Sequence, residues 1–284
     1  MIVVTGASGQ LGRLVMAELL KSVPASNLAA AVRNPEKVAD LAGLGVVVRR
    51  ADYNQPETLE AAFAGADRLL LISSSEVGSR APQHANAIAA AQKAGVGLIA
   101  YTSLLHADAS PLPLREEHLA TERMLAESGI PHVLLRNGWY TENYAASIPA
   151  ALMYGVVLGS AGEGRIASAA RADYAAAAAA VLLSEGQAGR VYELAGDEAY
   201  SLSEFTAEVA RQSGKAVAYR NLPEAQFEAA LKGAGLPQGL ATLLAESDRG
   251  ASKGGLFDDS RTLSRLIGRP TTPLAEVVRA ALAQ

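Results

Sequence analysis

From Thr5 to Gly12 the chain reads Thr-Gly-Ala-Ser-Gly-Gln-Leu-Gly, and this octapeptide limits the fold more than any other stretch. Its glycines, Gly6, Gly9 and Gly12, fall at i, i+3 and i+6. Spacing alone is a weak signal, because glycine supplies 26 of the 284 residues. The context is stronger. An apolar run at residues 2–4 leads straight in, and an amphipathic helical window at 11–20 leads straight out. A dinucleotide-binding loop requires strand, glycine turn and helix in that order. Gly6 permits the sharp turn, Gly9 lets the backbone approach a diphosphate, and Gly12 lets the helix pack near the sheet. The N–H groups along Gly6, Ala7, Ser8, Gly9, Gln10 and Leu11, with the positive end of the helix dipole, then hold the phosphates. The plain alternative is an ordinary strand–turn–helix corner.

The alternation continues through the first half. Further short runs lie at residues 28–32, 46–49, 68–72, 98–102 and 132–136. They are mostly apolar throughout, as strands buried on both faces of a parallel sheet are. Helical windows at 36–41, 57–63, 82–93 and 116–128 separate them. Repeated βα units of this kind predict an α/β fold with a doubly wound parallel sheet, a Rossmann domain. Asn34-Pro35 supplies a capping side chain and an N1 proline, and Asn54-Gln55-Pro56 is expected to do the same. Gly95 and Gly129 sit where helices should end.

After about Trp139 the rhythm changes. An alanine-rich helix is expected at 171–184, a strand at 190–194, and helices at 201–213, 224–232, 240–246 and 274–283. Ser201 and Glu204 have the spacing of a capping box. The glycine-rich stretch 249–255 reads as a mobile surface loop. These patterns suggest a dinucleotide-binding domain over residues 1–150 and a smaller, mostly helical lobe over 151–284, with some elements returning to the main domain.

Composition removes several chemistries. The chain has no cysteine, so disulfides, thiolate metal sites and cysteine nucleophiles are out. A net charge of −4 without a basic run argues against nucleic acid or an anionic membrane as partner. The longest smooth apolar stretch, residues 175–183, is well short of the roughly 20 residues a membrane span needs. With no signal-peptide pattern, the expectation is a soluble, cytoplasmic protein.

Arg33 ends the second strand, where an acidic residue would accept ribose hydroxyls. A guanidinium there matches a 2′-phosphate in charge and geometry, which predicts NADP(H). A solvated surface arginine is the alternative. Asp52, ending the third strand, either meets an adenine amino group or caps the turn at Asn54. Ser73, Ser74 and Ser75 close the fourth strand, and Arg136-Asn137-Gly138-Trp139-Tyr140 closes the sixth. Ligands of such sheets gather at these carboxyl ends.

The usual proton donor of short-chain reductases is missing. None of the nine tyrosines is followed four residues later by lysine. His118 and Glu122 stand four apart on the helix that would carry that dyad. His118 either orients a substrate or acts as an acid, while a solvated helix pair is the plainer reading. Reducing an aliphatic ketone gives an alkoxide whose conjugate acid resembles water at about 15.7, and a positioned acid helps greatly. Reducing a quinone gives a phenolate-like anion near the tyrosine value of about 10, which needs less help. The absence therefore favours a flat acceptor stacked at hydride distance. The four histidines lack metal-ligand spacing, and no G-x-S-x-G elbow occurs.

The glycine octapeptide, Ala31-Val32-Arg33-Asn34-Pro35, Ala51-Asp52-Tyr53 and Leu135-Arg136-Asn137-Gly138-Trp139-Tyr140-Thr141-Glu142-Asn143 together resemble the NmrA-like atypical short-chain dehydrogenases. Within them the chain is most similar to type 2 NAD(P)H:quinone oxidoreductases, relatives of triphenylmethane dye reductases. The resemblance covers nearly the whole chain. It implies an NADPH site formed by residues 6–11, Arg33, Ser73, Ser74, Ser75, Asn137, Gly138, Trp139, Tyr140, Thr141 and Glu142. It also implies a quinone or dye pocket faced by Asn143 and Tyr140. Asn143 would either hydrogen-bond a quinone oxygen as charge develops or cap the helix after the sixth strand. Trp139, Tyr140 and Tyr144 would be pocket walls or core. Some members of this group sense NADPH without turnover, and a nucleotide-sugar epimerase or dehydratase would want the absent Tyr/Lys pair.

Overall fold

Nine strands and the helices between them account for most of residues 1–283, which the computed structural model describes. The strands are β1 (Ile2–Thr5), β2 (Leu28–Val32), β3 (Val47–Arg50), β4 (Arg68–Leu71), β5 (Leu98–Leu104), β6 (His132–Asn137), β7 (Val156–Gly159), β8 (Val191–Leu194) and β9 (Ala218–Asn221). The chain divides into two units.

The first unit comprises residues 1–107, 116–137 and 171–192. Its strands enter a seven-stranded sheet in the order β3-β2-β1-β4-β5-β6-β8. β1 to β6 pair in parallel throughout. The order reverses at β1 and β4, the switch point where doubly wound sheets place their ligands. The apolar runs explain the layering. All five residues of β2 and all seven of β5 are buried, whereas β3, at the edge, is half-buried and ends in exposed Arg50. Leu59, Phe63, Leu69, Leu71, Ile99 and Tyr101 are fully buried in the core. Each such aliphatic or phenyl side chain contributes about 1.5–3 kcal/mol on burial.

The helix Gln10–Leu20 buries Leu11, Val15, Met16 and Leu19 on one face. The alanine-rich helix Arg171–Leu183 packs along it, burying Ala175, Ala177, Ala178 and Ala179. Asn34 caps as expected, its side chain accepting from Glu36 N at 3.0 Å, but the turn it opens is 3-10 over Pro35–Val38 before a short helix Ala39–Gly43. The second expected cap is absent. Gln55 precedes the helix Pro56–Phe63 without a side-chain bond, and Asn54 Oδ1 instead accepts from Gln83 at 3.3 Å. Gly95 and Gly129 take φ of 69° and 71°, the left-handed backbone that ends a helix.

The second unit comprises residues 108–115, 138–170 and 193–284, of which residue 284 lies outside the described residues. β7 and β9 form a small parallel sheet that the sequence does not announce. The helix Leu202–Ser213 begins with the full capping box of Ser201 and Glu204. The expected loop at 249–255 is a correction. Helix Gln238–Ser252 runs through its first four residues, and Gly250 and Ala251 are buried. A Cβ on Gly250 would lie 3.0 Å from Leu112 Cγ, and one on Gly255 2.5 Å from Leu112 Cδ1. These glycines serve close packing rather than mobility.

Candidate functional site

The glycine turn has the shape its spacing requires. β1 ends at Thr5, and Gly6 takes φ 58°, which strains any residue with a Cβ. Gly9 N–H donates to Gly6 O at 2.9 Å and closes the turn. The helix Gln10–Leu20 follows, with Gly9 at its N-cap, no side-chain cap and no acidic residue in its first turn. A Cβ on Gly12 would lie 2.3 Å from Gly6 O and 2.7 Å from Ala7 Cα. The first-turn amides therefore stand uncapped at the positive end of a helix, beside a backbone no side chain can crowd. That is the donor set for a diphosphate.

Beside it, the loop after β4 is fastened from behind. Ser73 N–H donates to Thr102 Oγ1 at 2.8 Å, and Ser74 N–H donates to His84 Nε2 at 3.0 Å. Arg80 Nε donates to Ser74 O, and Gly78 N–H donates to Glu117 Oε1 at 2.8 Å. Because Ser74 donates to Nε2, the proton of His84 sits on Nδ1, 2.8 Å from Thr121 Oγ1, which passes its own hydrogen to Glu117 O at 3.0 Å. His118 Nδ1 lies 2.8 Å from the Tyr101 hydroxyl, and its Nε2 faces Arg80 at 3.4 Å. Burial, then the Arg80 charge, lowers His84 to about 4. Burial, Arg80 and His84 lower His118 to about 3. Both rings are neutral at pH 7. Thr5 and Tyr53 add a brace: Thr5 Oγ1 accepts from Ile72 N–H at 2.9 Å, and the Tyr53 hydroxyl donates to Ile72 O at 2.8 Å. Asp52 serves its turn, Oδ1 accepting from Asn54 N–H at 2.9 Å.

Arg33 is exposed at the end of β2, and its Nη1 donates to Glu76 Oε1 at 2.8 Å. The sheet thus gathers residues 6–12, Arg33 and Ser73, Ser74 and Ser75 at one edge of carboxyl ends. Asn137 ends β6 with its Oδ1 buried and without a hydrogen-bond partner.

The slot of the missing dyad is filled differently. His118 and Glu122 are 4% and 9% exposed, so the surface-pair reading fails. Glu122 accepts from Arg136 Nε at 3.0 Å, Arg136 Nη2 at 2.7 Å and the Ser103 hydroxyl at 2.6 Å. The i,i+4 spacing was visible in the sequence, but Ser103 and Arg136 reach Glu122 from β5 and β6, which no local pattern reveals.

In the second unit, residues 138–143 form a turn into a short helix, Thr141–Ala145. Gly138 N–H donates to Leu194 O at 2.8 Å and Thr141 N–H to Ala169 O at 3.0 Å. Thr141 Oγ1 lies 2.8 Å from Ser168 Oγ, itself 2.6 Å from the Tyr200 hydroxyl. Tyr140 is the helix N-cap, and Asn143 is the helix's third residue, which removes the capping alternative for Asn143. Tyr144 is packed rather than presented. Its ring lies 6.3 Å from Phe205, and its hydroxyl donates to Asp248 Oδ1 at 3.1 Å. Asp248 Oδ2 accepts from Ser160 N–H at 2.8 Å, and burial raises its carboxyl to about 6 against these two donors.

Among the described residues no helix is long and apolar enough to cross a membrane. Residues 6–185 match a family described as NAD(P)H-binding. The chain is 64% identical over 278 residues to quinone oxidoreductase 2 of Escherichia coli strain K12, covering 98% of this chain and 97% of that protein. A crystal structure of NADPH-dependent quinone oxidoreductase from Escherichia coli complexed with NADPH superposes with a TM-score of 0.97 at 63% identity, covering 99% and 100% of the two chains. Triphenylmethane reductase of Citrobacter sp., complexed with NADP(H), gives 0.95 at 41% identity, covering 99% and 100%.

Proposed function

This chain belongs to the NAD(P)H-binding family, and we propose that it is an NADPH-dependent oxidoreductase that passes hydride to a quinone or a similar flat electron acceptor. The observation that carries the cofactor reading is the glycine cradle, whose uncapped helix amides stand beside a turn that Gly6, Gly9 and Gly12 keep free of side chains. The acceptor class rests on the 64% identical quinone oxidoreductase of Escherichia coli.

When bound, NADPH supplies the hydride. The chain supplies position and charge. The amides of Gly6, Ala7, Ser8, Gly9, Gln10 and Leu11 hold the diphosphate, and Arg33 takes the 2′-phosphate. Ser73, Ser74 and Ser75, with Asn137, Gly138, Trp139, Tyr140, Thr141 and Glu142, line the remainder. The unpartnered Oδ1 of Asn137 is an acceptor suited to an amide N–H. Asn143 donates a hydrogen bond to the acceptor oxygen as negative charge grows there, with Tyr140 beside it. No Tyr/Lys pair is needed, because the anion formed on the acceptor is phenolate-like. His118 and Glu122 do not replace that pair: one is neutral against Tyr101 and Arg80, and the other is ion-paired to Arg136. Solvent or a nearby hydroxyl protonates the product. The partner is this small acceptor rather than nucleic acid, and the location is the cytoplasm, where NADPH is replenished.

The test mixes the protein with NADPH and a panel of quinones and follows the absorbance of reduced nicotinamide. Turnover is expected, and Asn143→Ala should lower kcat with the Kd for NADPH preserved. Tight NADPH binding without any turnover would instead make the protein an NADPH sensor. Unchanged kcat in Asn143→Ala would return that residue to a structural part.

A further inference from the structure

Glu76 sits on the loop after β4 and is not part of the cofactor-binding set described above. It is fixed more firmly than its partner. Its Oε2 accepts from Gln83 Nε2 at 2.7 Å, and Gln83 is 2% exposed on the helix Arg80–Lys93. Its backbone N–H donates to Ser74 Oγ at 3.1 Å. The other carboxylate oxygen receives Arg33 Nη1 at 2.8 Å. The Arg33 side chain is 65% exposed and reaches this anchored carboxylate from the end of β2. A guanidinium takes a carboxylate and a phosphate through the same fork of donors. Two anions that want one fork compete for it.

We propose that Glu76 is an internal stand-in for the 2′-phosphate. It holds the Arg33 fork when no phosphorylated coenzyme is bound and yields it when one arrives, so it sets how strongly the site prefers NADP(H) over NAD(H). The proposal rests on Arg33 being the 2′-phosphate ligand. An exposed ion pair is weak enough to exchange readily. Gln83 keeps the carboxylate within reach, so the exchange moves the arginine and leaves the loop in place.

The test is calorimetric binding of NADP+ and NAD+ to wild type, Glu76→Gln, Arg33→Ala and the double variant. Glutamine keeps an acceptor for Gln83 and removes the charge. Glu76→Gln should bind NADP+ about three- to tenfold more tightly, with NAD+ changed less than about twofold. In the Arg33→Ala background the same substitution should shift NADP+ by less than about twofold. Glu76→Ala should repeat the direction, which guards against a folding defect peculiar to one variant. Weaker NADP+ binding in Glu76→Gln, an equal gain for NAD+, or an undiminished gain without Arg33 would each overturn the proposal. Wild type binding neither coenzyme would overturn the cofactor reading itself, and this with it. Wild type that prefers NADP+ beside an unchanged Glu76→Gln would remove the proposal alone.

Discussion

Glu122 in the first unit and Asp248 in the second are both carboxylates, 9% and 5% exposed, and their surroundings treat the charge differently. Glu122 meets Arg136 in a two-pronged ion pair, with the Ser103 hydroxyl as a third donor. Asp248 is held by the Tyr144 hydroxyl and the Ser160 N–H, both neutral. A full counter-charge offsets the loss of water around a carboxylate, whereas neutral donors offset it only in part. Asp248 is accordingly raised to about 6. The lesson is one of division of labour. The unit with the glycine cradle gives this buried carboxylate a cationic partner, and the other leaves a buried carboxyl able to respond to protons.

The largest effect should come from breaking that pair. Arg136→Met leaves Glu122 buried with one hydroxyl donor. Removing one partner of a buried pair costs about 3–5 kcal/mol. Urea unfolding should show that loss, and the double variant Glu122→Met with Arg136→Met should recover the part that comes from the stranded Glu122 carboxylate. A loss under about 1 kcal/mol for Arg136→Met would place the pair with surface ion pairs and erase the contrast.

The same contrast explains what the sequence made legible. In the first unit each strand is a local event: an apolar run ended by a polar residue or glycine, so that β2 at Leu28–Val32 could be read to the residue. The glycine cradle is likewise continuous in sequence, and its geometry followed from three glycines and two neighbouring elements. β5 runs two residues further than its apolar stretch suggests, because Ser103 looks like a strand end until Glu122 is seen to accept its hydroxyl and Arg136 to stand beside it on β6. In the second unit the decisive contacts join distant segments. Asp248 meets Ser160 across 88 positions and Tyr144 across 104. β7 has only a three-residue apolar run, set one glycine after the helix Ile148–Tyr154, and β9 is mostly exposed with no apolar run to mark it. Gly250 reads as a helix breaker, and only the position of Leu112 shows why a glycine stands inside that helix.

Acid should strike the first unit next. His84 and His118 are neutral in the folded chain, with pKa values lowered from 6.5 to about 4 and about 3. Unfolded, each takes up a proton below about pH 6.5. The unfolded state therefore binds more protons, and stability is lost as pH falls from about 6.5 toward about 4. The loss is on the order of 2–3 kcal/mol per histidine across that window. Thermal unfolding followed from pH 7 to pH 5 should show Tm falling, with a shallower fall in His118→Asn. A fall in His118→Asn as steep as in wild type would mean that burial does not hold the His118 ring neutral.

Asp248 should give the smallest effect, with the opposite sign. Its folded pKa of about 6 exceeds its ordinary 3.8, so between those values the folded state binds the extra proton and stability falls as pH rises. Above about pH 6 the full cost of the buried charge is present. Asp248→Asn removes the charge but keeps a group that can meet Ser160 and Tyr144. At pH 7 it should be more stable than wild type by about 1–2 kcal/mol, and near pH 4 the two should coincide. Its stability should also climb more steeply from pH 4 to pH 6, because the rise contributed by the histidines is no longer opposed. If Asp248→Asn is instead destabilised equally at both pH values, then the carboxylate is held as firmly as Glu122, and the two units do not differ in how they carry buried charge.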